Sequence, residues 1–475
     1  MDMIENRTFD EIQIGESASL VRRLTKEDIN LFAIMSGDIN PAHVDEEYAR
    51  SDMFHKIIAH GMWGASLIST VLGTKLPGPG AIYLGQTLHF HRPVTVGDTI
   101  TVTVTVTGKQ ADGHRVSFDC ECINQRGEVV ISGSAETMAP TIKVQRPRAI
   151  LPEVHLHEHG AWYRHLLELT KDLPPLRTAV VHPVDSQALL GAIEAAQAHL
   201  IVPILVGPRH KIEAVAAAQD VDLSPYELIA TEHSQEAAER AVALARAGKV
   251  DALMKGSLHT DEFMHAVLAP GIGLATGRRM SHVFGMEVPA YPRPLFLTDA
   301  ALNIYPDLES KQDIVQNAID LAHALGIETP RVALLSAVET VNPKIQSTLE
   351  AAALCKMAER GQITGGLVDG PLAFDNAVSP EAARTKGIVS PVAGLADILV
   401  VPDLEAGNML VKQLEYLADA RGAGIVLGAR VPIILTSRAD SPMTRMASCV
   451  LALLLAQSKQ KGKLAAMEKP PSSHA

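Results

Sequence analysis

The pattern of apolar and polar positions changes character near residue 142 and again near 160. In the first stretch, residues 25–35 predict a short helix, with Thr25 and Asp28 spaced as a capping pair. Residues 36–45 are polar and predict a loop. An apolar run from about 54 to 72, carrying Gly61, Gly64 and Ala65, predicts a longer helix. Beyond a turn at 77–80, four strand-like segments follow at about 81–91, 99–110, 114–124 and 129–138. The second contains TITVTVTVT, the period of two expected of a half-buried strand. Gly97-Asp98, Asp112-Gly113 and Arg126-Gly127 punctuate these segments as hairpin turns. One long helix against an antiparallel sheet is an α+β layer arrangement.

From about 161 the rhythm is strand, turn, helix. Apolar runs such as LIVPILVG, DALMKG, RVALLSAV, ADILVVPD and VPIILTS alternate with helical segments. Continuous apolar strands between helices predict a parallel sheet covered on both faces. About 300 residues is large for one such sheet, so two α/β lobes with a cleft are expected. Residues 143–160 (KVQRPRAILPEVHLHEHG) read as a linker with a solvated histidine tract, and 459–475 as a disordered tail.

Composition narrows the classes. Hydrophobic residues make up 47% of the 475 positions, which excludes disorder over most of the chain. A net charge of -12 argues against a general affinity for nucleic acid, though a local pocket can still hold a small anion. The acidic start lacks the apolar core of a signal peptide, and the apolar run at 449–456 is too short to span a bilayer. Cys120, Cys122, Cys355 and Cys449 form no C-x-x-C, so a disulfide framework or structural zinc is not expected. Their usage fits a reducing cytoplasm.

Candidate chemistry concentrates in two places. In Asp38-x-Asn40-Pro41-x-His43, the Asn-Pro turn holds a carboxylate and an imidazole facing one point, a general acid/base pair for adding or removing water. Gly61, within His60-Gly61-Met62, allows close approach of a ligand, and its N–H can polarise a thioester carbonyl. Taken singly, Asp38 reads as a turn cap and His43 as a satisfied polar residue. The combination, with Asp45, Tyr48-Ala49, Phe54, Tyr83-Leu84-Gly85-Gln86 and Pro93-Val94-x-x-Gly97-Asp98, resembles the MaoC-like, (R)-specific enoyl-CoA hydratase family of hotdog folds. The resemblance implies Asp38 and His43 as the pair activating water, Gly61 as oxyanion donor and Asn40 as the residue orienting the pair. It also implies a homodimer or larger. Ser69, one helical face along, is expected either to shape the acyl pocket or simply to pack.

In the second place, an apolar strand ends at Thr436. Ser441 and Pro442 suit the N-cap and first position of a helix. Ser437 and Arg438 therefore lie in a strand-to-helix loop suited to an anion, where arginine matches phosphate bidentately. Loops carrying Asp375 and Asn408 follow other strands, where α/β sheets gather ligands. These stretches, with Leu253-Met254-Lys255-Gly256, Thr276-Gly277-Arg278-Arg279-x-Ser281-His282 and Thr298-Asp299-Ala300-Ala301-Leu302-Asn303, resemble the phosphate acetyl/butyryltransferase family over about 165–457. The resemblance implies acyl-CoA + phosphate ⇌ acyl phosphate + CoA. Ser437 would bond the oxyanion or phosphate, and Arg438 with an arginine of the 278–279 pair would neutralise phosphate. The acetyltransferase pattern has an acidic base seven residues after the serine. Here that position is Thr444, SRADS looks like the butyryltransferase branch, and Asp440 is the nearest carboxylate.

The expectation is thus an α+β hotdog domain at 1–142 and an α/β two-lobed phosphotransacylase domain at 161–458, with parallel-type sheets covered by helices. No metal or cofactor is expected beyond acyl-CoA and inorganic phosphate as substrates. A dehydrogenase of the related two-lobed fold would need a dinucleotide fingerprint and an aspartate metal cluster, which the sequence lacks. The remaining alternative is a transferase whose hotdog domain only binds acyl-CoA or dimerises.

Overall fold

The computed structural model describes residues 3–149, 154, 156, 160–435 and 441–468, the last eight of these as backbone. The chain divides into two compact units, Met1–His157 and Glu158–Ala475.

The first unit contains β1 (Met3–Glu5), β2 (Ser17–Arg23), α1 (Lys26–Ser36), α2 (Pro41–Val44), α3 (Glu46–Ser51), α4 (Gly61–Thr74), β3 (Ile82–Phe90), β4 (Thr99–Gln110), β5 (Arg115–Ile123), β6 (Val129–Met138) and β7 (Gln145–Pro147). A five-stranded antiparallel sheet in the order β2-β4-β5-β6-β3 packs against α4. The alternation of β4 turns Ile100, Val102, Val104 and Val106 inward, and β5 adds Val116, Phe118, Cys120 and Cys122. These meet Trp63, Leu67, Ile68, Val71 and Leu72 of α4 in one core. Each such large side chain contributes about 1.5–3 kcal/mol by leaving water. Gly64 allows the close approach of helix and sheet, since a Cβ there would lie 2.4 Å from Ile131 Cδ1.

Three details depart from the sequence expectation. The long helix begins at Gly61, not near 54, because the Asp52 carboxylate takes the N–H groups of Phe54 and His55 into a turn and His55 sits at φ 58°. The sheet has a fifth strand, β2, whose short SASLVRR run is largely exposed at an edge. Within the expected linker, β7 pairs antiparallel with β1.

The second unit is built on one eleven-stranded sheet. Its strands are β8 (Leu176–Val181), β9 (Ile201–Gly207), β10 (Glu227–Ala230), β11 (Ala252–Lys255), β12 (Ser281–Glu287), β13 (Leu295–Thr298), β14 (Arg331–Leu335), β15 (Leu367–Leu372), β16 (Ile398–Val400), β17 (Arg421–Leu427) and β18 (Ile433–Ile434). Their order is β10-β9-β8-β11-β18-β17-β12-β13-β16-β14-β15. Both flanks are parallel, as the apolar runs predict. The middle is not: β17 and β12 run antiparallel to each other and to their other neighbours. The flanks consequently point in opposite directions, and the chain reverses over β17 and β12.

Helix Pro442–Glu468 carries the apolar run 449–456, which is buried on every side in the core rather than lipid-facing. It continues past 459, where a disordered tail was expected; 469–475 lie outside the described residues. Among the described residues, no helix is long and apolar enough to cross a membrane.

Two candidate active sites

The first site is made by a local fold-back. Asn40 caps α2 through Oδ1, which accepts from Ala42 N–H at 3.1 Å, and Pro41 fills the first helical position. The Asp38 carboxylate accepts from Asn40 N–H at 3.2 Å. His43 Nδ1 lies 2.9 Å from Ile58 O. A carbonyl only accepts, so Nδ1 carries the proton and Nε2 keeps its lone pair. His60 is tied by Nε2 to Asp38 O at 2.9 Å and lies against His43, ring centroids 4.0 Å apart. One ligand-type atom from each of Asp38, His43 and His60 lies within 4.8 Å of the others.

A cavity of about 370 Å³ opens here, lined by His43, Phe54, His60, Gly61, Trp63 and Phe90 among others. Gly61 is the first residue of α4, whose N-cap His60 makes no side-chain cap bond. The N–H groups of a first turn have no intrahelical partner, so Gly61 N–H is available to a carbonyl oxygen. A Cβ at Gly61 would meet Phe90 Cε1 at 3.0 Å. Asp38, Asn40, His43 and Gly61 are thus brought together. Ser69 is not, being exposed on α4 and outside the cavity wall. His60 stands in the quoted motif but was not assigned a role by sequence reasoning. A histidine adjoining the key glycine was the signal.

The second site is a cavity of about 1120 Å³ in the second unit. It lies against one face of β12, through His282 and Phe284, and against Arg421 and Gly422 of β17, where the strand direction reverses. Helix Leu404–Leu417 presents Leu404, Asn408, Val411, Lys412 and Glu415 to it, the spacing of one helical face. Leu435 and Ser441 line it from either side of 436–440. Ser437, Arg438 and Asp440 fall within that segment, outside the described residues. Ser441 Oγ accepts from Thr444 N–H at 3.2 Å, as the expected helix cap.

Of the other sequence candidates, Asn408 lines the cavity and donates to Ala300 O at 3.3 Å. Three do not reach it. Arg278 pairs with Asp320 at 2.5 Å, Arg279 Nε donates to Asn303 Oδ1 at 2.7 Å, and Asp375 pairs with Lys386 at 3.3 Å. Asn303 in turn bonds Asp299, whose carboxylate also takes the N–H groups of Ala301 and Leu302. Burial pushes the Asp299 carboxyl above its usual range against those bonds. The Thr298–Asn303 motif therefore acts as scaffolding that sets Ala301 in the cavity wall.

Sequence reasoning left Lys255, His282, Lys412 and Arg421 without roles. Lys255 is buried at the end of an apolar strand, itself a visible signal. Burial pushes His282 down to about 4, so it is neutral near pH 7. Lys255, Lys412 and Arg421 make the wall locally cationic within a chain of net charge -12, which suits phosphate-bearing ligands.

A family model described as "MaoC like domain" matches residues 11–120, and one described as "Phosphate acetyl/butaryl transferase" matches 226–453. A phosphate acetyltransferase of Rhizobium meliloti is 61% identical over 305 residues, 64% of this chain and 96% of that protein. A phosphate butyryltransferase of Clostridium acetobutylicum is 45% identical over 283 residues, 60% of this chain and 94% of that protein. The crystal structure of a branched-chain phosphotransacylase from Enterococcus faecalis V583 aligns with a TM-score of 0.53 at 30% identity, covering 59% of this chain and 99% of that one.

Proposed function

Because the chain belongs to the phosphate acetyl/butyryltransferase family, with a MaoC-like domain fused ahead of it, we propose that it is a bifunctional acyl-CoA enzyme. The second unit transfers a short acyl group between CoA and phosphate. The first hydrates trans-2-enoyl-CoA to (R)-3-hydroxyacyl-CoA.

The tautomer of His43 carries the hydratase reading. With Nδ1–H committed to Ile58 O, Nε2 is left to take a proton from a water shared with Asp38. The oxygen then adds to C3 of the enoyl thioester. Charge moves to the thioester oxygen, where Gly61 N–H at the start of α4 stabilises it. The proton taken from water is then delivered to C2, which completes the addition and returns His43 to its neutral form. The cavity of about 370 Å³ suits a short acyl group. The exposed apolar residues Ile82, Leu84 and Phe90 along edge strand β3 support a homodimer.

In the transferase, phosphate attacks the thioester carbonyl, and CoA leaves as a thiol after protonation. In reverse, a base takes the thiol proton and the thiolate attacks acyl phosphate. Ser437 holds the oxyanion and Arg438 the phosphate. Asp440 is the base in this reading, with Glu415 of the cavity wall as the competing carboxylate. The higher identity to the R. meliloti acetyltransferase favours acetyl-CoA as substrate over the butyryl-CoA that the SRADS stretch suggests. The four free cysteines fit a cytoplasmic setting.

Thiol release from acetyl-CoA and butyryl-CoA, with and without phosphate, tests the transferase: release independent of phosphate would sink it. Hydration of crotonyl-CoA tests the other unit. Protein that binds crotonyl-CoA without hydrating it would make the first unit a binding or dimerising module.

A further inference from the structure

We infer that His282 is a positioning residue for acyl transfer: its Nε2–H holds the Leu435 carbonyl and so sets where the chain leaves the sheet, two residues ahead of Ser437. The consequence for transfer rests on the transferase reading above; the hold on Leu435 does not.

β18 is two residues long, and its ladder pairs with β11 and β17 stop at Ile434. Leu435 lies one residue further, in the wall of the larger cavity. The His282 ring bonds its backbone there. The nitrogen involved is Nε2, because Nδ1 has no hydrogen-bond partner. A carbonyl only accepts, so Nε2 carries the proton. Gly424 marks the same geometry independently. A Cβ at Gly424 would lie 2.8 Å from His282 Nε2 and 3.3 Å from Leu435 O. The imidazole thus reaches from β12 across β17 to the end of β18, over a residue that has no side chain.

His282 is itself anchored. Its backbone carbonyl accepts from Thr298 Oγ1 at 3.0 Å, and its backbone N–H is bonded by the Asp299 carboxylate. The ring meets Phe284 edge-on, centroids 4.3 Å apart. The residue is 1% exposed, and Nδ1 is left buried and unpaired, which is costly for a polar atom. An apolar side chain would fill the place without that cost, so what the imidazole adds is the bond from Nε2. A carbonyl fixed at Leu435 restricts the residues that follow, and group transfer is sensitive to displacements of about 1 Å. His282 acts through Leu435, not on the substrate.

The test compares His282→Asn with His282→Gln in the full chain. Glutamine places an amide N–H where Nε2 stands; asparagine reaches only as far as Nδ1. Both keep a buried polar side chain, and thermal unfolding near neutral pH checks that both fold. His282→Asn should lower kcat for phosphate-dependent thiol release from acetyl-CoA by about 10- to 100-fold, with KM for acetyl-CoA changed less than about threefold. His282→Gln should recover most of kcat. The second measurement is limited digestion by trypsin, followed by mass, at the bond after Arg438. Cleavage there should be at least about tenfold faster in His282→Asn than in the unaltered protein or His282→Gln. Equal kcat and equal cleavage in the two variants, at whatever level, overturn the inference and make the ring a packing element. If the unaltered protein releases no thiol, the transferase reading falls, while the cleavage rates still decide the hold on Leu435.

Discussion

Everything that aligns the first site lies between Asp38 and Gly61, and the bonds involved stay within that one stretch of chain: Asp38 to Asn40, Asn40 to Ala42, His43 to Ile58 and His60 to Asp38. The second site instead gathers Lys255, His282, Asn408, Arg421 and Thr444 from strands and helices far apart in the chain. One is a fold-back that needs the sheet mainly as a wall. The other exists only where an eleven-stranded sheet reverses direction. A compact site should fail through single atoms, and a dispersed one should tolerate changes at residues whose place in it was inferred from sequence alone.

The largest expected effect is Asp38→Ala, which should lower crotonyl-CoA hydration by about 10²–10⁴-fold and leave phosphate-dependent thiol release intact. Loss of both activities would break the division into two sites. Next, Ser437→Ala should cost the transferase about 10²–10³-fold, with hydration unchanged. Arg278→Ala sharpens this: paired with Asp320 outside the cavity, it should change acyl transfer by less than about threefold, in keeping with the small worth of exposed ion pairs. A loss matching that of Ser437→Ala would put Arg278 back in the site.

His282 gives a pH signature confined to the second unit. The unfolded chain takes up this proton near 6.5, the folded one only near about 4. Folded stability is therefore intact above about 6.5 and lost as the pH falls toward about 4, by about 3 kcal/mol in all. Thermal unfolding followed from pH 7.5 to 4 should show this slope, flattened in His282→Asn. Gly61→Ala should have an intermediate effect. Its N–H survives, but the added methyl crowds Phe90, and kcat/KM for hydration should fall about tenfold.

The same contrast explains what was legible in the sequence. Asn40-Pro41 dictates its own turn, so Asp38 and His43 could be paired by inspection. The strict alternation of β4 gave its buried face. Arg278, Arg279 and Asp375 do not line the cavity, and proximity to a suggestive motif says nothing about which face of an eleven-stranded sheet a loop reaches. The reversal at β12 and β17 was hidden for a related reason: an apolar strand buried on both faces looks alike in either direction. Helix start 61 was missed because the apolar character of Phe54, Ile57 and Ile58 outweighed the turn-forming Asp52 in a reading by hydrophobicity.

The pairing of Met3–Glu5 with Gln145–Pro147 has a consequence for how the first unit can be handled. It clasps both ends of the first unit side by side, so the segment enters and leaves at one point without opening the five-stranded sheet. Such a segment travels as a cassette. Splicing it to a foreign sequence, excising it or permuting it at that one seam should therefore leave the five-stranded sheet intact.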